Sequence, residues 1–184
     1  MPKDQSAQFD VNSSELVFRG RVWDVVSETF DYHGESLTRD FVRHPGAVAV
    51  LALNEANQVL MIRQYRHPVR KYLWELPAGL LDVPGESLVD AAKRELAEEA
   101  GYAAQHWEEL TTFHPSPGGN SESITIFLSK GCAPITTDFV AEGAARDLLV
   151  EWVDFDVALA AVLASEIQNP SACLGILHLS LRIG

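Results

Sequence analysis

The stretch GLLDVPGESLVDAAKRELAEEAGY, residues 79–102, decides the fold of this chain. Ser87-x-x-Asp90 resembles a capping box and Gly101 is a natural helix terminator, so the pattern predicts a helix over residues 87–100. Small or apolar residues recur at every fourth position of this helix and predict one stripe that docks on a sheet. The stripe consists of Leu88, Ala92, Leu96 and Ala100.

Three acidic side chains share a neighbouring face of the same helix. Glu95, Glu98 and Glu99 stand at relative positions i, i+3 and i+4, which places their carboxylates within an arc of roughly 100°. Because like charges at this spacing repel, we expect a cation to compensate them. Hard cations such as Mg²⁺ and Mn²⁺ take oxygen ligands, and Mg²⁺ also shares substrate phosphates. The pattern therefore favours a metal site that faces a phosphorylated substrate.

The alternative interpretation is a solvated acidic face that pairs with Lys93 and Arg94. This interpretation accounts for the charges of the helix alone. It does not explain why a further acid and several glycines flank the helix. The residues that it must also explain are Gly79, Gly85, Glu86, Arg94 and Gly101.

Composition excludes several classes of protein. A net charge of −12 argues against a nucleic-acid partner, because phosphate backbones need clustered Lys and Arg. Two cysteines are too few for a disulfide framework. The first 15 residues lack the apolar core of a signal peptide, and the longest apolar run, Ala47–Leu53, is too short to cross a bilayer. We expect a cytoplasmic protein with no membrane partner.

Periodicity predicts a chain of mixed β and α structure. Strands are expected over residues 16–26, 36–43, 47–53, 59–65, 110–113, 124–129 and 148–153, with a turn at 32–35. Further helices are expected over 156–165 and 172–182. The pattern predicts an α/β sandwich with a mixed sheet between helices. We expect residues 1–15 to be poorly ordered, 16–44 to form a small N-terminal antiparallel β element, and 45–184 to form the main domain.

The opening stretch resembles the Nudix box, G-x5-E-x7-R-E-U-x-E-E-x-G-U, where U is a bulky apolar residue. The matching residues are Gly79, Glu86, Arg94, Glu95, Leu96, Glu98, Glu99 and Gly101. Two features depart from the pattern: six residues instead of five separate Gly79 from Glu86, and Tyr102 replaces an aliphatic residue. A loop absorbs one extra residue at small entropic cost. The resemblance implies the Nudix α/β/α fold and a pyrophosphohydrolase.

The resemblance also implies a set of metal ligands. Glu95 and Glu99 would bind the metal directly, and Glu98 would bind it through water or act as a base. The carbonyl of Ala78 would complete part of the site. The implied cofactor is Mg²⁺, with Mn²⁺ as a possible substitute.

Other residues of the box would support these ligands. Arg94 is similar to the family arginine that orients the neighbouring glutamates, and we count it with the catalytic residues. Gly79 and Gly101 would serve backbone geometry, and we also count Gly79 with the substrate-binding residues. Glu86 would pin the loop to the helix.

Residues before the box resemble the ADP-ribose and other nucleoside-diphosphate-sugar pyrophosphatases. They are the stretches QYR, residues 64–66, and WELPAG, residues 74–79. We interpret Trp74, Leu76 and Pro77 as strand and turn packing. Arg66 carries a charge that needs a partner, so a substrate contact is as plausible for it as a structural role.

The loop SPGGNSE, residues 116–122, points to the same branch of the family. Pro117 lies sixteen residues after Gly101, the spacing that marks the ADP-sugar members. Glycines let the backbone approach a ligand closely. The candidate substrate contacts in this loop are Ser116, Gly118 and Glu122.

The resemblance covers roughly residues 16–175. In relatives the N-terminal strands exchange between subunits, so a homodimer is implied. Arg39, in those strands, becomes a candidate for reaching the nucleotide of the partner subunit.

One segment departs from this branch of the family. Its members carry a Glu-rich loop, with the catalytic base, before the last main strand. Aligned backwards from Trp152, the usual glutamate positions fall on Ala144 and Arg146. Glu142 is two residues out of register, yet the Gly143-Ala-Ala stretch allows it to reach the site. Glu142 is our first candidate for the base and Glu98 the second.

The resulting hypothesis is Mg²⁺-dependent hydrolysis of the pyrophosphate bond of ADP-ribose or a related nucleoside diphosphate sugar, which gives AMP and a sugar phosphate. One alternative is a Nudix hydrolase for another nucleoside diphosphate derivative, since the box grips only the pyrophosphate. Another is a catalytically weak ADP-ribose-binding sensor, which the Ala144 and Arg146 departures favour and the intact glutamates oppose.

Overall fold

The computed structural model describes residues 1–136 and 148–183. The chain divides into two compact units. The first consists of Met1–Pro45 and Ser116–Glu122, and the second consists of the described parts of Gly46–Pro115 and Ser123–Gly184.

Within the first unit, all of which is described, three strands form an antiparallel sheet in the order β1-β2-β3. The strands are β1, Val11–Arg19, β2, Asp24–Tyr32, and β3, Glu35–Arg43. His33 and Gly34 form the tip of the β2–β3 hairpin with φ of 51° and 91°. Positive φ at both central residues is typical of a tight hairpin turn, and the turn predicted at residues 32–35 is confirmed.

The single strand predicted over residues 16–26 is wrong, because the chain reverses between Arg19 and Asp24. A Cβ on Gly20 would overlap the carbonyl oxygen of Trp23, so this reversal requires a glycine. The glycine lies inside an alternating apolar run, which concealed the break in the sequence. Residues 11–15, expected to be poorly ordered, belong to β1 because their backbone pairs with β2.

In the described part of the second unit, seven strands form one mixed sheet. They are β4, Ala47–Leu53, β5, Gln58–Arg66, β6, Lys71–Glu75, β7, Ala78–Leu80, β9, His106–Phe113, β10, Ile124–Lys130, and β12, Leu149–Asp154. The main order is β12-β5-β4-β10-β9, with β6 paired to β5 and β7 paired to β4. Strands β8, Tyr102–Ala103, and β11, Ala133–Pro134, form a separate pair. The short strands β6 and β7 were not predicted.

Helix α1, Leu88–Ala100, begins and ends where the sequence predicts. The Ser87 hydroxyl accepts the Asp90 N–H at 3.2 Å, and Gly101 ends the helix with a φ of 70°. Helix α2 is Phe155–Leu163, and α3 is Pro170–Ile183. Pro170 opens α3 instead of preceding it, because the first turn of a helix does not need its missing N–H.

The core lies on both faces of the second unit's sheet. Alternate residues of β4 contribute to two clusters: Ala49 and Leu51 pack with α2 and α3, whereas Val48 and Val50 pack with α1. A strand buried on both faces and covered by helices on each side confirms the predicted α/β/α sandwich. Among the described helices, none has the length and apolar character needed to cross a bilayer.

The apolar stripe predicted on α1 is only partly correct. Its buried residues are Ala91, Ala92, Glu95 and Leu96, whereas Leu88 is 40% exposed. An every-fourth-residue stripe drifts by about 40° per step around a helix, so its first member leaves the buried arc. Glu95 also belongs to that arc, so one carboxylate lies on the buried side of the helix.

A Leu96→Ala substitution tests this packing. Leu96 is fully buried between α1 and the sheet, so its truncation is expected to lower the free energy of unfolding by about 2–5 kcal/mol. The matched control is Leu163→Ala on α2, where the side chain is 70% exposed and the expected change is under about 0.5 kcal/mol. Urea unfolding of both variants measures the difference. Equal losses would contradict the assignment of Leu96 to the core.

Candidate active site

The second half of α1 carries the acidic group that the sequence analysis singled out. Glu95 is 8% exposed, and Glu98 and Glu99 are partly buried. Ala91, Ala92 and Leu96 pack α1 against the sheet. This packing brings the carboxylates toward β7, which precedes the helix in the chain. Burial makes each negative charge more costly than it would be in water.

Arg94 is the main cation among these carboxylates. Its guanidinium donates to both oxygens of Glu86, at 3.1 and 3.0 Å, to Glu95 at 2.5 Å and to Glu98 at 3.3 Å. It also donates to the carbonyl of Leu80 at 3.3 Å. The bonds to Glu86, above all, raise the pKa of Arg94, so the side chain stays charged. Arg94 thereby ties the loop after β7 to the helix.

Glu95 lies against the backbone of Gly79. A Cβ on Gly79 would overlap the Glu95 carboxylate, so only glycine leaves room for that side chain. Burial raises the pKa of Glu95, whereas the adjacent Arg94 lowers it and the charge of Glu98 raises it further. The glycine of the box is thus needed for the position of an acid sixteen residues later in the chain.

Glu99 is held at the start of β7. Its carboxylate accepts the N–H of Ala78 at 2.9 Å. Burial raises the pKa of Glu99 to about 7, and the charge of Glu95 raises it too, although the Ala78 bond and Arg66 act in the opposite direction. Two neighbouring carboxylates that are costly to ionise form a place where a cation is stabilising.

Arg66 also lies close enough to act electrostatically on Glu99. Its main partner is Glu75, which accepts from Nε at 2.9 Å and from Nη2 at 2.6 Å. The bonds to Glu75 raise the pKa of Arg66. Sequence analysis assigned no role to Glu75. The available signal was its place in the stretch WELPAG, residues 74–79, which resembles the nucleoside-diphosphate-sugar pyrophosphatases.

The remaining described candidates belong to the first unit. Arg39 and Gly118 line one surface depression of about 420 Å³, together with other residues of β3 and of the loop 117–121. The carbonyl of Ser116 accepts the N–H groups of Gly119 and Asn120 and so closes a turn. The Glu122 carboxylate lies 3.5 Å from Nε2 of His44, whose side chain is 2% exposed.

The expected site also includes a catalytic base and a cluster of metal ligands. Glu142, the first candidate for the catalytic base, lies outside the described residues, as do Ala144 and Arg146. Within residues 1–136 and 148–183, no three His, Cys, Asp or Glu side chains are arranged as a metal-binding cluster. Glu95 and Glu98 bond instead to Arg94.

Comparisons with known proteins agree with this architecture. The NUDIX domain model matches residues 42–171. The ADP-ribose pyrophosphatase of Mycobacterium tuberculosis is 36% identical over 170 residues, which cover 92% of this chain and 82% of that protein. The methanol dehydrogenase activator of Bacillus methanolicus is 34% identical over 172 residues, which cover 92% of this chain and 91% of that protein. A solved ADP compounds hydrolase superposes with a TM-score of 0.73 at 21% identity, over 98% of this chain and 97% of that one.

This chain belongs to the NUDIX family. The family model covers most of its length, and the fold matches that of the solved hydrolase. The protein is accordingly a Nudix hydrolase with ADP-ribose pyrophosphatase among its homologues. Nudix hydrolases generally use divalent metal ions.

A Gly79→Ala substitution tests the contact between Gly79 and Glu95. The added methyl group is expected to displace the Glu95 carboxylate and weaken divalent-metal binding by roughly 10- to 100-fold, the cost typical of disturbing a ligand's support. Titration with Mn²⁺, followed by calorimetry, measures the affinity. Circular dichroism of the same sample controls for folding. Unchanged Mn²⁺ affinity in the folded variant would contradict the role of this glycine.

Proposed function

We propose that this protein hydrolyses the pyrophosphate bond of ADP-ribose, or of a related nucleoside diphosphate sugar, in a Mg²⁺-dependent reaction. The products are AMP and a sugar phosphate. The observation that carries the proposal is a pair of neighbouring carboxylates, the buried Glu95 against the Gly79 backbone and the partly buried Glu99 bonded to the Ala78 N–H. The similarity to the mycobacterial ADP-ribose pyrophosphatase over 92% of the chain supports this choice of substrate.

The donor atoms suit a hard divalent cation. Glu95 and Glu99 would hold Mg²⁺, with Mn²⁺ as a substitute, and Glu98 and the Ala78 carbonyl would complete the set. Glu95 and Glu98 would exchange Arg94 for the ion, since both bond to that guanidinium. The bound ion would neutralise the two phosphates and lower the pKa of a bound water. Arg94 keeps its bonds to Glu86 throughout and so holds the loop on the helix.

The chain's own groups account for the remaining chemistry. A water oxygen attacks one phosphorus, the bridging P–O bond breaks, and a carboxylate accepts the proton of the water. Glu142 is the first candidate for that carboxylate and Glu98 the second. Arg66 would stabilise the charge of the diphosphate, because its side chain is 45% exposed although two of its nitrogens bond to Glu75. Gly79 would contact the substrate through its backbone atoms, because the Glu95 carboxylate fills the space that a side chain would take there.

The first unit carries its own candidate contacts for a nucleotide and sugar. Arg39 and Asp40, a guanidinium and an acid, line a depression in which Gly118 offers an open glycine backbone. A Cβ on Gly118 would meet no atom within 4 Å, so the backbone there is open to a ligand. Ser116 and Glu122 flank this segment and are the further polar candidates.

We also propose that a second copy of this chain covers β1. All nine residues of β1 are exposed, four of them apolar: Val11, Leu16, Val17 and Phe18. Exposed apolar strands at a sheet edge are hazards that proteins commonly cover. A homodimer in the cytoplasm satisfies this requirement, and Arg39 of one subunit would then reach the nucleotide of the other.

The Glu99→Gln substitution tests the metal-dependent reaction. Loss of a direct ligand is expected to lower kcat by more than about 100-fold at saturating Mg²⁺, which exceeds the usual effect of losing an outer-sphere group. The control is Glu166→Gln, an exposed acid far along the chain, which is expected to keep wild-type turnover. Wild-type turnover by Glu99→Gln would overturn the proposal.

Product analysis separates the alternative functions. A panel of nucleoside diphosphate sugars with Mg²⁺ is expected to give AMP from ADP-ribose at the highest kcat/KM. Release of inorganic pyrophosphate from a nucleoside triphosphate would identify a different hydrolase. Tight ADP-ribose binding without any product, across a range of metals and pH, would identify a sensor.

The Phe18→Asp substitution tests the dimer. Phe18 is 63% exposed on β1, so a charge there is expected to disfavour burial against a second copy. Sedimentation should give twice 20.2 kDa for the wild type and 20.2 kDa for the variant at the same concentration. A wild-type mass of 20.2 kDa at micromolar concentration would contradict the dimer.

A further inference from the structure

Glu75 is a buried acid that the proposed reaction does not yet use. Its side chain is 2% exposed at the end of β6, and both of its oxygens accept hydrogen bonds. We propose that Glu75 is a positioning residue, which fixes the Arg66 guanidinium in the orientation that binds the diphosphate of the substrate. This inference rests on the proposed function and names a further residue on which it depends.

The register of the β5–β6 hairpin brings the two residues together. Ile62 pairs with Glu75, Gln64 pairs with Leu73, and Arg66 pairs with Lys71. Because cross-strand partners share a face and side chains alternate, Arg66 and Glu75 lie on one face of the hairpin. Arg66 reaches back along the strand to Glu75, and Gln64 lies between them, with its Nε2 3.5 Å from Oε2 of Glu75.

Burial changes along this face. Ile62 is fully buried and Gln64 is 8% exposed, whereas the Arg66 side chain is 45% exposed. In this ion pair, Glu75 therefore lies in the core and the Arg66 guanidinium lies at the surface. Because so little solvent reaches Glu75, its charge is compensated mainly by the ion pair with Arg66.

The two hydrogen bonds between Arg66 and Glu75 fix the orientation of the guanidinium as well as its position. Glu75 takes Nε and Nη2, a side-on bidentate arrangement that sets the plane of the guanidinium. Nη1 makes no hydrogen bond to any residue that the structure describes. It is therefore the nitrogen available to an anion, and the position of Glu75 determines where it points.

The same short segment also holds a proposed metal ligand. Glu75 fixes Arg66, and three residues later the Ala78 N–H holds Glu99 at 2.9 Å. Between them, the Pro77 carbonyl accepts the N–H of Val50 at 2.8 Å and anchors the segment to β4. Residues 75–78 thus set the distance between the arginine and the acidic face of α1.

A free arginine would lose its rotamer freedom each time it bound substrate. Held in advance by Glu75, Arg66 has already lost that freedom in the folded protein. Release of the side chain is expected to weaken substrate binding by roughly 3- to 10-fold, the range for immobilising one flexible side chain.

The test is a double-mutant cycle with Glu75→Gln and Arg66→Ala, measured on ADP-ribose with saturating Mg²⁺. Glu75→Gln is expected to raise KM by roughly 3- to 10-fold with a smaller change in kcat. If Glu75 acts through Arg66, adding Glu75→Gln to Arg66→Ala should change KM no further. Arg63→Gln is the matched control, because Arg63 is exposed, stacks on Tyr72 at 4.9 Å and is expected to keep wild-type kinetics.

Each outcome separates the inference from the function it rests on. Absence of AMP release by the wild type would remove the proposed function and this inference with it. Wild-type hydrolysis combined with an unchanged KM in Glu75→Gln, or with additive effects in the double variant, would overturn the inference alone. Should Glu75→Gln fail to fold, Glu75→Asp keeps the buried charge but shortens its reach, and an unchanged KM in that variant would overturn the inference equally.

Discussion

The constraint that the rest of the structure must satisfy is the close spacing of negative charges on one side of α1. Glu95 is buried and Glu99 is partly buried, their charges disfavour each other, and Glu98 adds a third charge nearby. The helix tolerates them because Arg94 bonds to Glu95 and Glu98, and because the Ala78 N–H supports Glu99. Such an arrangement costs stability in a protein that does not use it. In the proposed reaction this arrangement would hold a divalent ion and, through the ion, the diphosphate of the substrate.

Contacts of the surrounding fold keep these three glutamates in position. The Ser87 cap and Gly101 fix the ends of α1, and Leu96 docks it on a sheet buried on both faces. Gly79 leaves the space that the Glu95 carboxylate occupies, and Glu86 anchors Arg94. These contacts explain why the motif extends over more than twenty residues, although only a few of its atoms would face a substrate in the proposed reaction.

The local part of this account follows from the sequence. The cap, the terminating glycine and the spacing of the three glutamates are read directly, because helical geometry relates residues three and four apart. Contacts across strands do not follow in that way. Glu75 was missed because β6 was not predicted, and without β6 no register places Glu75 beside Arg66. The break at Gly20 was missed because the close approach of its backbone to Trp23 leaves no periodic signal.

The most direct measurement is anomalous diffraction from a crystal soaked in Mn²⁺. The account predicts a peak at ligand distance from carboxylate oxygens of Glu95 and Glu99, about 2.0–2.1 Å for an ion bound as Mg²⁺ is, with Arg94 moved away from Glu95 and still bonded to Glu86. The absence of a peak beside α1 in a fully soaked crystal, or a peak bound only by other residues, would contradict it.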